Sequence, residues 1–152
     1  MNSQNDKKGT FRRKLAEAKQ SLKMTDGLLY ALIFVFILTF ICYPGLASAN
    51  TIKFMEDWKN YPSWHFLFVQ TIFNLFDTVG RYAGGVPAML LSNMTIKIAS
   101  LARTVFLVTM LLITFDVPPA GLFSSTWFII INIMFFALTN GYISTLCSVK
   151  AP

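Results

Sequence analysis

The stretch WHFLFVQTIFNLFDTVGRYAGG (residues 64–85) decides the fold, because it is long enough to cross a membrane and yet carries several polar groups. A bilayer core about 30 Å thick needs a helix of about 20 residues. Three further apolar windows of similar length lie at residues 27–50, 95–115 and 125–147. Lipid offers no partners for free backbone groups, so the windows predict helices. The sequence therefore predicts an all-α integral membrane protein with four transmembrane helices.

The overall composition is also typical of a membrane protein. The chain of 152 residues is 55% hydrophobic and only 13% charged, whereas soluble domains contain about 25% charged residues. Seven of the 13 Lys and Arg residues lie in the first 23 positions, so residues 1–26 form a basic leader. This leader either lies as an amphipathic helix on an anionic membrane surface or forms a solvated tail. A secretory signal that ends at Ala47-Ser48-Ala49 is disfavoured, because the leader and the window are too long.

The distribution of basic residues predicts the orientation in the membrane. Lys and Arg collect in the cytoplasmic loops of membrane proteins. A cytoplasmic leader places 11 of the 13 Lys and Arg residues inside and leaves only Lys53 and Lys59 outside. Four spans return the C-terminus to the leader's side. We therefore expect a multi-pass protein of the plasma membrane or an internal membrane, with both termini cytoplasmic.

A polar stripe runs along the second span. Gln70, Asn74, Asp77 and Arg81 are spaced by four, three and four residues, which places them on one face of a helix. A charged group that faces lipid near the bilayer centre costs about 2.5–3.5 kcal/mol or more, so the stripe must face protein or water. Asp77 and Arg81 can form an ion pair that clasps helices together. A substrate path is the favoured interpretation, with Asp77 accepting hydrogen bonds and Arg81 donating them, because four polar positions exceed what a clasp needs.

The third and fourth spans carry further polar residues. Arg103 lies about two turns inside its span, where it either extends to the headgroups or pairs with an acid elsewhere in the bundle. Asn132 and Asn140 share a face of the fourth span, and each either packs against a neighbouring helix or lines a cavity. Small residues recur at four-residue steps on that helix, which favours close helix packing: Ala137, Gly141 and Thr145.

The residues that serve chemistry in enzymes are sparse. The sequence contains one histidine, His65, and two cysteines, Cys42 and Cys147, which the expected topology places in opposite leaflets. We find no metal-ligand cluster, catalytic triad or glycine-rich phosphate loop in the sequence. We therefore expect no catalytic residues, no metal site, no cofactor and no nucleic-acid partner.

Three segments of the chain resemble one known family. FNLFDTVGR (residues 73–81) is similar to the FN-x-x-D-x-x-GR pattern in the eighth helix of the equilibrative nucleoside transporters. LARTVF (residues 101–106) resembles their ninth helix around a membrane arginine. ALTNGYISTLCSVKAP (residues 137–152) resembles the end of their tenth helix. The order and spacing of the three segments also match, and the resemblance extends over residues 28–152.

This resemblance implies a fold similar to the C-terminal bundle of the major facilitator superfamily, in which two bundles alternate around a central site. It implies that Asp77 and Arg81 contact a nucleoside or nucleobase, with Asn74, and by position Gln70, on the same face. Arg103 and Asn140 carry over less directly, as residues that stabilise the bundle or line the cavity. Transport is facilitative or proton-coupled in such proteins, and Asp77 would be the candidate proton carrier.

The chain departs from the family in its number of spans. The windows correspond to only four of eleven spans, the seventh to the tenth. We therefore expect a part of a longer transporter, or a chain that assembles with other subunits to replace the N-terminal bundle. The alternatives are a small four-span structural or assembly protein, a channel-forming oligomer, and a fragment that does not transport.

Overall fold

The computed structural model describes residues 27–46, 62–115 and 125–150, together with four positions of the leader, residues 13, 14, 16 and 20. In these residues the chain is helical and contains no strand, which confirms the expected all-α fold. The amphipathic face expected in the leader and the loop that carries Lys53 and Lys59 lie outside the described residues.

The first helix, α1, spans Leu28–Ile41 and continues into a π-helical turn, Cys42–Leu46. It begins after Gly27, whose φ of 73° is a left-handed conformation that glycine adopts without steric cost. Within the turn, Tyr43 leaves the helical region, with φ −135° and ψ 133°. Pro44 follows Tyr43, and the residue before a proline is biased towards this extended conformation.

Four more helices follow along the chain. Helix α2 comprises the 24 residues Pro62–Gly85, and a short 3₁₀ turn, Pro87–Met89, follows it. Helices α3 and α4 are Asn93–Ala102 and Thr104–Thr114, and helix α5 is the 25 residues Thr126–Lys150. The window that we expected to form the third span thus consists of two helices, α3 and α4.

The break between α3 and α4 lies at Arg103. Its carbonyl oxygen accepts a hydrogen bond from the Phe106 backbone N–H at 3.0 Å, which is a 3₁₀-type bond between residues three apart. The backbone angles, φ −61° and ψ −17°, are close to 3₁₀ values. The local tightening interrupts the helix at the one residue of this segment whose charged side chain turns into the interior.

Three described helical segments are long and apolar enough to cross a membrane: α1 with its turn, α3 with α4, and α5. Helix α2 has the length but does not meet the same criterion, because its polar stripe lowers its mean hydropathy. The chain is therefore an integral membrane protein that crosses the bilayer more than once.

Buried apolar side chains form two layers. The first layer, near the π-helical turn, draws on α1, α2, α4 and α5; its members are Leu38, Cys42, Val69, Phe73, Met110, Ile113, Ile129, Ile133, Phe136 and Ala137. The second layer, near the start of α1, draws on α1, α3 and α5; its members are Leu28, Ala31, Val35, Ile96, Ile143, Leu146 and Cys147. The two free cysteines are buried in different layers.

One end of the bundle is fixed by contacts from α5 to the connection between α2 and α3. The Tyr142 hydroxyl donates to the Met89 carbonyl at 2.5 Å. The Lys150 ammonium donates to the Leu91 carbonyl and lies 3.4 Å from Asn93 Oδ1. These bonds satisfy backbone carbonyls that the turn leaves without helical partners.

Helices α2 and α5 cross with their backbones in contact. A Cβ atom added to Gly141 would overlap the Asp77 carbonyl oxygen, and one added to Gly80 would overlap the Leu138 carbonyl oxygen. A Cβ at Gly84 would lie 2.9 Å from the Tyr142 carbonyl oxygen. The close packing expected at Gly141 is therefore present. Its partner surface, Gly80 and Gly84 at the same four-residue step, was missed in the sequence.

We predict that Gly141→Ala and Gly80→Ala each destabilise the natural protein by about 1–3 kcal/mol, since each methyl group would displace a helix backbone rather than a side chain. The measurement is thermal unfolding of the purified protein in detergent. Gly85→Ala is the matched control, because nothing lies within 4 Å of its added Cβ. Equal melting temperatures for Gly141→Ala and Gly85→Ala would contradict the close crossing.

Candidate functional site: a polar network between the helices

The side chain of Arg103 lies in the interior, with only 1% of its surface exposed. Its Nη1 donates to Asn140 Oδ1 at 3.0 Å, and its Nη2 donates to the Phe136 carbonyl at 3.3 Å and to Thr39 Oγ1 at 3.4 Å. The guanidinium carbon also lies 4.8 Å from the centre of the Phe136 ring, a cation–π arrangement. Of the two alternatives for Arg103, extension to the headgroups is therefore contradicted, because interior acceptors hold the side chain.

The Asn140 side-chain amide is hydrogen-bonded at both ends and is only 3% exposed. Its Oδ1 accepts from Arg103 and lies 2.7 Å from the Thr39 hydroxyl, and its Nδ2 donates to Asp77 Oδ1 at 2.7 Å. A reversed amide would point N–H groups at a guanidinium and an oxygen at a carboxylate, so the partners fix its orientation. Arg103 is thus linked to an acid of the bundle, Asp77, but only through this amide.

Asp77 is the junction between the interior and the exposed face of α2. Its second oxygen, Oδ2, accepts from Arg81 Nε at 2.7 Å, which is the expected ion pair between residues four apart. The Asp77 side chain is 13% exposed and the Arg81 side chain 51%. Each carboxylate oxygen keeps a lone pair. Within the described residues, both Nη groups of Arg81 are without hydrogen bonds, so this end of the arrangement can still accept and donate.

These contacts form one continuous structure, which we call the polar network: Thr39, Asp77, Arg81, Arg103 and Asn140. Helices α1, α2 and α5 and the break between α3 and α4 each contribute to it. Along α5 and the broken helix, its members separate residues of the first apolar layer from residues of the second. On these helices the network is therefore a polar layer between two apolar ones, and it joins α1, α2, α5 and the break between α3 and α4.

The predicted stripe on α2 does not act as a unit. The oxygen Oε1 of Gln70 accepts from the Tyr43 hydroxyl, about 10 Å along the helix from Asp77. Asn74 is exposed, and its side chain makes no hydrogen bond within the described residues. Only Asp77 and Arg81 of the four join the network.

Asn132 also lies away from the network. It is buried, and its Oδ1 accepts from the Thr109 hydroxyl at 3.1 Å, so it links α5 to α4 inside the bundle. This contact favours the packing interpretation of Asn132 over the cavity-lining one. Asn140, eight residues further on, instead contacts α1, α2 and the break between α3 and α4.

Two features of the site were missed in the sequence. Thr39 stands alone in the apolar run LLYALIFVFILTFI, and a single hydroxyl in such a run gave no signal. Thr71 and Thr78 lie beside the stripe, and with Asn74 and Arg81 they repeat at spacings of three, four and three; all four are exposed. That spacing could have been recognised. Both threonine hydroxyls bond to the carbonyl four residues earlier, at 2.8 and 2.7 Å, so they need no other partner.

The described residues contain no group of three or more His, Cys, Asp or Glu side chains that could hold a metal ion. His65 lies near the start of α2, and its Nε2 is buried without a hydrogen-bond partner in the described part of the chain. The polar network is therefore the chemically richest part of the described structure, and its groups suit hydrogen bonding to a ligand better than metal binding.

Comparison with known proteins gives consistent matches. A nucleoside transporter family model matches residues 2–152. The chain is 29% identical over 128 residues to "Equilibrative nucleotide transporter 2" of Arabidopsis thaliana, which covers 84% of this chain and 28% of that protein. It is 26% identical over 136 residues to "Nucleoside transporter 1.2" and to "Nucleoside transporter 1.1" of Leishmania donovani, covering 87% of this chain and 25% of each relative. No solved structure shows a significant match to the chain.

The chain spans only about a quarter of the length of these curated relatives, at 28% and 25%. The family is one of transporters, not of enzymes. The match of the family model over nearly the whole chain agrees with the helical membrane architecture described above. The chain belongs to the nucleoside transporter family.

Proposed function

We propose that this chain is part of a membrane transporter for nucleosides or nucleobases, and that one face of α2 lines the substrate path. The observation that carries the proposal is the exposed polar surface of α2 next to the network. Arg81 is 51% exposed while its Nε is held by Asp77, and Asn74 is exposed beside it.

The polar surface of α2 occupies one continuous sector of the helix. At 3.6 residues per turn, its polar side chains fall within a sector of about 120°. The members of this polar sector are Gln70, Thr71, Asn74, Asp77, Thr78 and Arg81. Leu75, Val79 and Tyr82 are exposed beside it on a mostly apolar face. The helix is thus divided into a lipid-compatible side and a polar side, as expected for a helix that borders a water-filled cavity.

The two sides have different requirements in a membrane. Leu75 and Val79 are stable against hydrocarbon. A guanidinium in the same position costs about 2.5 kcal/mol or more. An unbonded amide there is also unfavourable, because no water or protein group satisfies it. Arg81 and Asn74 therefore need water or further polypeptide in front of them.

The available groups match a neutral polar ligand. A nucleoside offers ribose hydroxyls that donate and accept, and base carbonyls that accept. The unused lone pairs of Asp77 can accept from ribose hydroxyls, and the Nη groups of Arg81 can donate to a carbonyl or a hydroxyl. Such a pairing keeps the exposed pair neutral, since Asp77 and Arg81 balance each other.

The relatives guide the choice of substrate class. Two are named as nucleoside transporters and one as a nucleotide transporter. Because the chain matches about a quarter of each of them, the opposite wall of the cavity would come from polypeptide outside this chain. We propose transport by alternating access of two bundles around the site, either facilitative or coupled to protons through Asp77.

We propose that both termini are cytoplasmic. The charge distribution carries this orientation, and the structure supports it by gathering cationic groups at one end. Lys150 is bonded at the connection between α2 and α3, and Lys97 lies beside Gly27, the residue that follows the basic leader. Basic residues gathered at one membrane face are typical of the cytoplasmic side.

A structural or assembly protein is the second candidate. The polar network favours it, because it joins four spans without any ligand. In that case the Asp77–Arg81 pair would be only a clasp, and it would not matter which of the two positions holds the acid and which holds the base. A pore formed by several copies is a third candidate, and ion conductance in reconstituted vesicles would reveal it.

We predict that Asp77→Asn and Arg81→Ala each lower the initial uptake of uridine and adenosine at least about tenfold, because each removes a charged hydrogen-bonding group. The measurement is radiolabelled uptake into cells that express the full natural protein, normalised to the amount at the membrane. Competition with unlabelled AMP separates a nucleotide carrier from a nucleoside carrier.

Val79→Ala is the control for these variants, because Val79 is exposed on the apolar face of the same helix. Normal uptake by both Asp77→Asn and Arg81→Ala would refute the substrate path. Full uptake by the double exchange Asp77→Arg, Arg81→Asp would favour the clasp, because a clasp keeps its attraction when the charges trade places.

We also predict that Asn74→Cys reacts with a water-soluble thiol reagent, whereas Leu75→Cys does not. The two residues are adjacent and both are exposed in the chain, but only Asn74 lies in the polar sector. Excess uridine should slow the modification of Asn74→Cys. The natural Cys42 and Cys147 are buried, so the background should be low. If the cysteines introduced at positions 74 and 75 both react only with lipid-soluble reagents, the polar sector does not face water.

A further inference from the structure

We propose that Asn140 is a positioning residue, which holds the Asp77 carboxylate so that Arg81 keeps its terminal N–H groups for the ligand. This inference rests on the proposed function of the polar sector. It assigns to α5 a role in ligand affinity, although Asn140 itself is buried and lies behind the carboxylate.

Two hydrogen bonds hold the Asp77 carboxylate. Asp77 receives one hydrogen bond from Arg81 on its own helix and one from Asn140 on α5, each at 2.7 Å. The Arg81 side chain is flexible and half-exposed, so it can follow a rotating carboxylate. Asn140 cannot follow, because Arg103 and Thr39 hold its oxygen from the other side. Asn140 is therefore the fixed reference for the Asp77 orientation.

Arg81 pairs with Asp77 through a single hydrogen bond. Arginine and carboxylate prefer two parallel hydrogen bonds, which use one Nη group as well as Nε or the second Nη. Here Asn140 occupies Oδ1, and Arg81 binds Oδ2 through Nε alone. Asn140 thus holds the carboxylate in an orientation in which Arg81 meets only Oδ2. Both Nη groups of Arg81 are left for another acceptor within the described part of the protein.

Burial and close helix packing hold Asn140 in place. Asn140 is 3% exposed and Arg103 is 1% exposed, and the Gly80–Gly141 crossing holds the two backbones in contact one residue away. Interior side chains at such a crossing have little room to rearrange. The order of dependence is therefore Arg103, then Asn140, then Asp77, then Arg81, and only the last two face the ligand.

The experiment is uptake kinetics for uridine with the full natural protein and the variant Asn140→Leu, which has similar volume and no hydrogen-bonding groups. We expect KM to rise at least about tenfold, while maximal uptake per molecule at the membrane stays within about twofold, because the charged hydrogen bond to Asp77 is lost but the helices remain packed. The double variant Asn140→Leu, Arg103→Met removes the buried guanidinium as well, so that no unpaired charge is left in the interior. It should show the same rise in KM.

Thr109→Val is the matched control, because it removes a hydrogen bond from α4 to Asn132 on the same helix as Asn140, away from Asp77. It should lower thermal stability and leave KM unchanged. If Asn140→Leu and the double variant lower only the amount of folded protein and keep the natural KM, the positioning role is refuted. That result together with loss of uptake in Asp77→Asn would leave the proposed function intact, whereas normal uptake in Asp77→Asn would refute the proposed function itself.

Discussion

A guanidinium in the interior of a membrane protein is tolerated only where acceptors surround it, and the arrangement of this chain follows from that constraint. Arg103 finds its acceptors on two helices: the amide of Asn140 and the carbonyl of Phe136 on α5, and the hydroxyl of Thr39 on α1. The carboxylate of Asp77 on α2 joins this arrangement through the Asn140 amide. The hydrogen bonds that begin at Arg103 therefore link the break between α3 and α4 to α1, α5 and α2.

The position of the network between two apolar layers explains why its hydrogen bonds are strong and why they lead to the surface of α2. Apolar packing on both sides excludes water from Arg103 and Asn140, which strengthens each hydrogen bond and makes any unpaired group costly. Towards the surface of α2 this protection ends at Asp77. One line of hydrogen bonds therefore connects the buried interior to an exposed guanidinium, which is the arrangement that a binding face needs.

The sequence was sufficient for the fold class and for part of the site. Long apolar windows allow only helices in a membrane, and a spacing of four is enough to pair Asp77 with Arg81. Spacing within one helix does not reveal partners on another. The link from Asn140 to Asp77 depends on how α2 and α5 cross, and the recruitment of Thr39 depends on where α1 packs. The break at Arg103 was likewise invisible, since LARTVF contains no proline or glycine.

Helices α2 and α5 are joined by interlocked glycines, by the Asn140–Asp77 bond and by the bonds from Tyr142 and Lys150 to the connection after α2. These contacts couple the two helices closely, so a displacement of one would carry the other with it. Helical hydrogen bonding is interrupted elsewhere, at the turn Cys42–Leu46 and at the 3₁₀ step at Arg103. The second of these interruptions carries the side chain that anchors the polar network.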